Sequence, residues 1–219
     1  MTATDLAQTD RSTLRRLKER GTHERTAAEA ILDEAIVAHV AVADAPGPLV
    51  LPMVFARVDD RLYLHGALAN HLLRTATGSA PVCIEVTLVD GLVLARSAFH
   101  HSINYRSVVL FGDAELVDDV DEKRAAMVAL VEHLVAGRSD GTRLPTDAEL
   151  RKTAVVRFVI DEGSAKVRTG GPVDDEDDLD LDVWAGVVPV ATVFGEPQPD
   201  VGRPVDLGVP AHVAARITG

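Results

Sequence analysis

The stretch 61–112 constrains the fold more than any other part of the chain, because it alternates strand-like runs with one short helical segment. Apolar and β-branched residues fill 82–89 and 92–99, a composition typical of strands in a folded core. Asp90-Gly91 lies between these two runs, and an Asp-Gly pair in that position predicts a tight hairpin turn. The centre of the chain is therefore predicted to be antiparallel β-sheet.

Other segments extend this sheet and add helices to it. The further predicted strands are 36–42, 49–58, 62–64, 105–117, 155–160 and 165–168. The predicted helices are 26–35, 68–77, 121–135 and a brief one after Thr146. Thr26-Ala-Ala-Glu29 and Thr146-Asp-Ala-Glu149 have the spacing of capping boxes, which predicts helix starts at both places. About seven strands with short links predict a mainly β fold with inserted helices, in which a closed or nearly closed barrel removes the sheet edges.

Composition narrows the classes of function. The formal net charge is −12, which argues against nonspecific binding to DNA or to anionic membranes. The single cysteine, Cys83, excludes an intramolecular disulfide and a multi-cysteine metal site. The N-terminus lacks a secretory signal pattern, and no run reaches the roughly 18 apolar residues of a membrane-spanning helix. These features predict a cytoplasmic protein without nucleic-acid or membrane partners.

The chain divides into three parts by composition. Residues 1–24 are polar and rich in Arg, Lys and Thr, which predicts a flexible start or an arm that docks on something. Residues 25–195 carry the strands and helices, and no repeat or second domain is evident. Residues 196–219 are rich in Pro and Gly, which predicts an irregular C-terminal tail.

One candidate binding site begins at Gly66. A strand leads to this glycine and a helix starts soon after it, and the free amides at a helix N-terminus favour an anion. Asn70, His71 and Arg74 are close enough in sequence to add donors. The alternative is an ordinary surface helix with polar residues. No Walker loop or Gly-x-Gly-x-x-Gly motif is present, which argues against a P-loop enzyme and a Rossmann dehydrogenase.

A second polar group lies in 102–107, where Tyr105, Arg106 and Ser107 bring hydroxyl and guanidinium groups to the start of an apolar strand. Such a group can bind a planar polar ligand or a phosphate, or it can cap a loop in solvent. His100-His101 argues against a metal site with both histidines as ligands, because adjacent residues on a strand point to opposite faces.

Several motifs together resemble one known family. They are Leu62-Tyr-Leu-His-Gly-Ala, Pro81-Val-Cys, Gly91-Leu-Val-Leu-Ala-Arg-Ser-Ala-Phe-His-His-Ser, Asn104-Tyr-Arg-Ser-Val-Val-Leu-Phe-Gly112 and Trp184-Ala-Gly-Val-Val-Pro189. The sequence resembles the flavin-binding split-barrel superfamily, and most of all the pyridoxamine 5'-phosphate oxidase-related group that includes the 5-nitroimidazole reductases. The resemblance covers roughly residues 12–200.

This resemblance implies a six-stranded antiparallel split β-barrel that dimerises and binds FMN in clefts at the subunit interface. It implies that the backbone of Pro52, Met53 and Val54 runs beside the isoalloxazine ring, and that His65 and Gly66 lie near the ring or the ribityl chain.

The resemblance also implies which residues lie near the phosphate of the cofactor and which lie near its flavin ring. The family's phosphate-binding stretch corresponds to 69–71, where Asn70-His71 replaces the usual basic residues, so that Arg74 or Arg106 would have to compensate. Tyr105 and Ser107 match positions that contact the flavin, and Trp184 would close the site from the partner subunit.

The resemblance predicts an FMN-dependent oxidoreductase that acts on an unidentified small molecule. The alternative is a non-catalytic protein that binds flavin or haem, in which His100 or His101 is an axial ligand. A deazaflavin in place of FMN, and a protein whose cleft no longer binds a cofactor, are also compatible with the sequence.

Overall fold

The computed structural model describes residues 5–44, 46–78, 80–200, 202 and 207–218. Within these residues, ten strands form one antiparallel sheet: β1 (Gly21–Thr22), β2 (Val37–Val42), β3 (Leu49–Val58), β4 (Arg61–Ala67), β5 (Val82–Leu94), β6 (Ser102–Gly112), β7 (Ala114–Leu116), β8 (Thr153–Val159), β9 (Glu162–Arg168) and β10 (Gly186–Pro189). The α-helices are α1 (Arg25–Glu34), α2 (His71–Ala76), α3 (Val120–Leu134), α4 (Asp147–Lys152) and α5 (Ala211–Thr218). None of the described helices is both long and apolar enough to cross a membrane.

The strands follow the order β1-β9-β6-β5-β2-β3-β4-β8-β7, and β10 adds to β5. The mainly β fold with inserted helices is confirmed. Neither the six-stranded split barrel nor the closed or nearly closed barrel is seen in the described residues, because the sheet has ten strands and its end strands β1 and β7 do not pair with each other.

Alternation along the strands separates two faces of the sheet. Val40 of β2, Ile84 of β5 and Leu110 of β6 are buried on the inner face, where α1 and α2 contribute further apolar side chains. The two largest residues of this core are Phe55 and Phe158, both fully buried. The opposite face is called the outer face below.

The predicted hairpin at Asp90-Gly91 is wrong. β5 continues through both residues, and only its pairing with β6 shifts register between Val89 and Gly91. Gly91 has a partner on each side, Asn104 of β6 and Pro189 of β10, so pairing with two neighbours outweighs the local turn preference.

The actual connection between β5 and β6 lies at 95–101. Asp174 holds it, because its carboxylate accepts hydrogen bonds from the backbone N–H of Arg96 at 2.8 Å and from the Arg96 guanidinium at 2.8 Å.

Only one of the two predicted capping boxes forms. Thr146 and Glu149 make the reciprocal bonds at the start of α4. The first helix instead begins at Arg25, after Glu24, without a side-chain cap. Arg25 is buried and donates to the carbonyl of Ile160 at 2.6 Å, so its docking on the sheet sets the position of this helix start.

The described parts of the N-terminal arm and the C-terminal tail make more defined contacts than composition suggests. In the N-terminal arm, Leu6 is buried, and Arg11 and Thr9 both bond to Glu162 at the start of β9. The tail predicted to be irregular contains α5, so that prediction is wrong for Ala211–Thr218. The boundaries of the three parts stay predictions.

Candidate functional site

The sheet splits along β3. The first half of this strand, 49–54, pairs with β2, whereas the second half, 55–58, pairs with β4. Beyond Leu64, the strand β4 pairs with β8 and no longer with β3. A gap therefore opens between 49–54 on one side and 65–67 on the other, and it is called the split below.

Five of the residues predicted to bind the cofactor border this split. Pro52, Met53 and Val54 lie on its β3 side, and His65 and Gly66 lie on its β4 side. Alternate residues of 49–54 present their backbone N–H and C=O groups to the split, because the ladder with β4 stops at Phe55. Backbone groups in such a position need partners from outside the sheet.

The side chains of these residues do not all face the same way. Val54 and Pro52 pair with Val37 and His39 of β2 and lie with them on the outer face. Met53 packs against the inner core instead. The backbone of all three residues lies at the split, but the side chain of Met53 does not lie on the outer face.

His65 is chemically the most distinctive residue of the split. Its Nδ1 is buried and has no hydrogen-bond partner among the described residues. Burial lowers the pKa of the imidazole, so the ring is neutral near pH 7. A neutral imidazole without a partner can accept a hydrogen bond or bind a metal ion.

The junction after Gly66 is tightly packed. A Cβ at Gly66 would lie 3.0 Å from Cδ1 of Leu73 and 3.2 Å from Nδ2 of Asn70. Asn70 caps α2, because its Oδ1 accepts from the N–H of Leu73 at 3.1 Å. A protein side chain thus already satisfies one of the amides that were predicted to hold a phosphate, and α2 has only six residues.

The cations predicted to assist at this junction have other positions. His71 pairs with Asp44 at 2.6 Å. Arg74 lies in the last turn of α2, away from its N-terminus. Arg106 is bonded to Asp90 at 2.8 Å and to Glu34 at 2.8 Å, and these two carboxylates raise its pKa. Arg106 is therefore already neutralised by two partners and does not replace the missing basic residues.

Tyr105 and Ser107 lie on the outer face of β6, opposite Val89 and Thr87 of β5. Arg106 points to the other face, because adjacent residues of a strand alternate. The order of strands places β6 four positions from β4, or about 19 Å along the sheet at 4.8 Å per strand. The structure therefore brings Pro52, Val54, His65, Tyr105 and Ser107 to one face, but it does not bring the last two to the split.

Trp184 and the histidine pair lie elsewhere. Trp184 is 66% exposed and its ring packs over Gly186, just before β10. His100 bonds to Asp175 at 3.1 Å, and Nδ1 of His101 bonds to the carbonyl of Ser97 at 2.9 Å. Closure of the site by Trp184 of a partner subunit stays a prediction.

Comparison with known proteins identifies the family. The model of the pyridoxamine 5'-phosphate oxidase family matches residues 24–167. The chain is 36% identical to the flavocytochrome Anf3 from Azotobacter vinelandii, with a TM-score of 0.89 and coverage of 95% of this chain and 97% of that one. The chain belongs to the pyridoxamine 5'-phosphate oxidase family.

Two further members of this family have related structures. The FAD and haem binding protein from Mycobacterium smegmatis is 34% identical, with a TM-score of 0.86 and coverage of 90% of this chain and 97% of that one. A protein named for 5-nitroimidazole antibiotic resistance, from Bacteroides thetaiotaomicron, is 26% identical, with a TM-score of 0.57 and coverage of 67% and 86%. A search of curated proteins gives no significant match. The resemblance seen in the sequence is confirmed.

One residue with a distinctive environment was missed by the sequence reasoning. Arg216 lies in α5, within the tail predicted to be irregular. A signal for this helix was present, because Val213 and Ile217 have i, i+4 spacing shortly after Pro210.

Proposed function

We propose that this protein binds a flavin and a haem and uses them in redox chemistry on a small molecule. The observation that carries the proposal is similarity over nearly the full length of two chains, one named as a flavocytochrome and one as an FAD and haem binding protein. The similarity covers 95% and 90% of this chain, so it extends beyond residues 24–167, which the family model matches.

FAD is the proposed flavin. The Mycobacterium smegmatis relative is named for FAD, and the junction at Asn70 lacks the basic residues expected for a terminal phosphate. FMN, which the sequence resemblance implies, is the flavin to compare with it.

His65 is the residue proposed to hold the haem through its iron. A haem iron needs a neutral imidazole with a free nitrogen, and a proximal histidine is a common ligand. His65 is neutral, half-buried and without a hydrogen-bond partner among the described residues. In His100 and His71 the Nε2 atom is already bonded to a carboxylate, that of Asp175 and that of Asp44, and neither residue lies at the split.

The other residues of the split have a positioning role in this proposal. The free backbone groups of 52–54 would hydrogen-bond the polar edge of a planar cofactor, and Val54 would pack against its apolar part. Gly66 keeps the β4 side open, because a side chain at that position would meet Asn70 and Leu73. The cofactors would supply the electron transfer, and the protein would supply orientation and hydrogen bonds.

The protein is further proposed to be a homodimer with the cofactors at the subunit interface. Its accessible surface is 13504 Å², whereas a compact monomer of this mass exposes about 9,700 Å². Part of the excess is apolar and lies on the outer face, where Val37, Val50 and Val89 are 41%, 51% and 41% exposed. Sedimentation should give a mass near twice 23.3 kDa, and a monomer would refute the shared site. A cytoplasmic location stays a prediction of the sequence.

The decisive experiment is titration of the purified protein with haem, FAD and FMN, followed by absorbance. Wild type should give a Soret band with haem and should bind FAD more tightly than FMN. His65→Ala should lose the Soret band and regain it when imidazole is added, since the free base can occupy the vacated position. Flavin binding should be largely retained.

His71→Ala and His101→Ala are the matched controls, because each removes one imidazole from the surface. Both should bind haem as wild type does. Haem binding that survives in His65→Ala and disappears in either control would refute the assignment of the ligand. A wild-type protein that binds neither haem nor flavin would refute the proposed function.

A further inference from the structure

A cavity of about 940 Å³ lies on the outer face beneath the C-terminal part of the chain. Its floor includes Val37 and His39 of β2 and Thr87 and Val89 of β5. Its roof is formed by 190–194, which follow β10, and by 215–217 of α5. This volume is within the range of about 300–1,000 Å³ typical of ligand-binding pockets.

One contact joins the two segments of the roof to each other, and another joins α5 to the loop after α3. The Arg216 guanidinium stacks on the ring of Phe194, with 4.4 Å between the guanidinium carbon and the ring centroid. At the other end of α5, the His212 side chain lies 3.4 Å from the position of a Cβ at Gly137. Glu132 fixes that loop by accepting from the N–H groups of Gly137 and Ser139 at 2.6 and 2.7 Å. The helix is therefore docked on the end of α3 rather than free in solvent.

Arg216 has no acidic partner among the described residues, although it lines the cavity. Its Nε is buried and has no hydrogen-bond partner, and a buried donor in this condition destabilises the protein unless something binds it. The two carboxylates at the cavity edge, Glu34 and Asp90, are bonded to Arg106. His39 is bonded to Glu85 at 3.2 Å. Arg216 is thus the residue of the cavity with unused capacity for an anion.

Strand register places the cavity beside the split on the same face of the sheet. Val37 in its floor pairs with Val54, and extension of the β3–β4 register by one residue places His65 opposite Val54. The floor at β2 is therefore two strands from His65, or about 10 Å along the sheet. An elongated ligand with its ring at the split can reach into the cavity with one end.

We propose that this cavity binds the acidic end of a planar cofactor, a carboxylate or a phosphate, and that Arg216 is the residue that binds the anion. The proposal rests on the proposed function for the identity of the ligand. Haem and a flavin nucleotide share this chemistry, because each has an apolar ring and an anionic tail. The tail is a propionate in haem and a phosphate in the flavin nucleotide. Arg is suited to both anions, because its guanidinium forms bidentate hydrogen bonds with planar oxyanions.

The test compares Arg216→Ala, Arg216→Lys and a control, Arg151→Ala. Arg151 is exposed on α4 and has no part in the cavity, so its removal changes the net charge equally. Each protein is titrated with haem, haem dimethyl ester, FAD and riboflavin. The ester is haem without its free carboxylates, and riboflavin is the flavin without phosphate, so each pair isolates the effect of one anion. A charged hydrogen bond lost at Arg216 should weaken binding by about tenfold or more.

Weaker binding of haem but not of its ester in Arg216→Ala would assign the carboxylate, and weaker binding of FAD but not of riboflavin would assign the phosphate. Arg216→Lys should recover part of the loss, and Arg151→Ala should bind as wild type does. Equal affinities of wild type and Arg216→Ala for all four ligands would overturn the proposal.

A probe that is not a cofactor separates this proposal from the proposed function. Anilinonaphthalene sulfonate is an aromatic anion whose fluorescence rises in apolar cavities. If wild type binds no cofactor, the proposed function fails, and an affinity for this probe that drops about tenfold in Arg216→Ala would still support the anion site. If the probe binds equally to both proteins, or to neither, Arg216 is not an anion-binding residue. Circular dichroism of each variant checks that the fold is retained.

Discussion

Glu162 provides a quantitative test of how the N-terminal arm is held. Its carboxylate accepts from Thr9 Oγ1 at 2.5 Å, from Arg11 Nη2 at 2.6 Å and from Arg11 Nε at 2.9 Å. These contacts, the Arg11 hydrogen bonds above all, lower the pKa of Glu162 to about 2 from 4.5. A shift of one pKa unit corresponds to about 1.4 kcal/mol. The shift of the Glu162 pKa from 4.5 to about 2 therefore sets an upper limit of about 3.4 kcal/mol on the stabilisation by these contacts.

Screening reduces the expected value. The Glu162 side chain is 12% exposed, but that of Arg11 is 47% exposed. We therefore expect Glu162→Gln to lower the free energy of unfolding at pH 7 by about 1–2 kcal/mol. A carboxylate with a lowered pKa stabilises the fold above its unfolded pKa and loses this effect as pH falls. The difference between wild type and variant should consequently shrink between pH 4.5 and about pH 2.

Urea unfolding at several pH values measures this difference. Asp161→Asn is the matched control, because it removes the same charge from an exposed neighbouring residue. A double-mutant cycle with Arg11→Met isolates the energy of the pair, which should account for most of the effect of Glu162→Gln. A difference that stays constant from pH 7 to pH 2, or a coupling energy near zero, would refute the reasoning.

Two further predictions concern the close approach of β9 to β6 and the cap of α2. Gly163→Ala should lower the melting temperature, because the new Cβ would lie 2.5 Å from the carbonyl oxygen of Val109 on β6, and such overpacking costs about 1–3 kcal/mol. Gly141→Ala, in open space, should change it little, and equal melting temperatures of the two variants would contradict the close approach. Asn70→Ala should cost about 1 kcal/mol in urea unfolding through loss of the α2 cap, and Asn70→Ser should recover most of it. No loss in the alanine variant would mean that the cap is not formed in solution.

Much of the fold follows from local patterns in the sequence. The apolar run 49–58, which stops at Asp59-Asp60, predicted β3 with its observed bounds, Leu49–Val58, and the apolar stripe of 121–135 predicted α3 to within one residue at each end. The capping box at Thr146 formed because both of its partners lie within one turn, so nothing distant is needed.

The same local reasoning failed where distant segments compete. Asp90-Gly91 has the residues of a turn, but β6 and β10 pair with it on both sides. Thr26 has the residues of a cap, but docking of Arg25 on Ile160 starts the helix earlier. In each case, pairing or burial against a segment far along the chain outweighs a preference worth about 1 kcal/mol.

The candidate site also combines features that follow from the sequence with features that depend on contacts between distant segments. Sequence resemblance identified the backbone of 52–54 and the residues His65 and Gly66, which the structure brings to the two sides of the split. It also proposed Arg106 as a phosphate ligand, but that side chain is held by Glu34 and Asp90. Which charged groups are already neutralised depends on neighbours that are distant in sequence.

By itself, the sequence determined the family and the strand-rich character of the chain, and it supplied the candidate residues for a cofactor site. Only the tertiary structure decided which strand edges are left without partners, that His65 and Arg216 each have a buried nitrogen without a hydrogen-bond partner among the described residues, and that α5 covers a cavity. The physical reason is the separation along the sequence over which each effect acts. Secondary-structure propensities, helix caps and strand alternation involve only a few neighbouring residues. Strand order, desolvation and charge neutralisation are set by contacts between segments that the sequence separates.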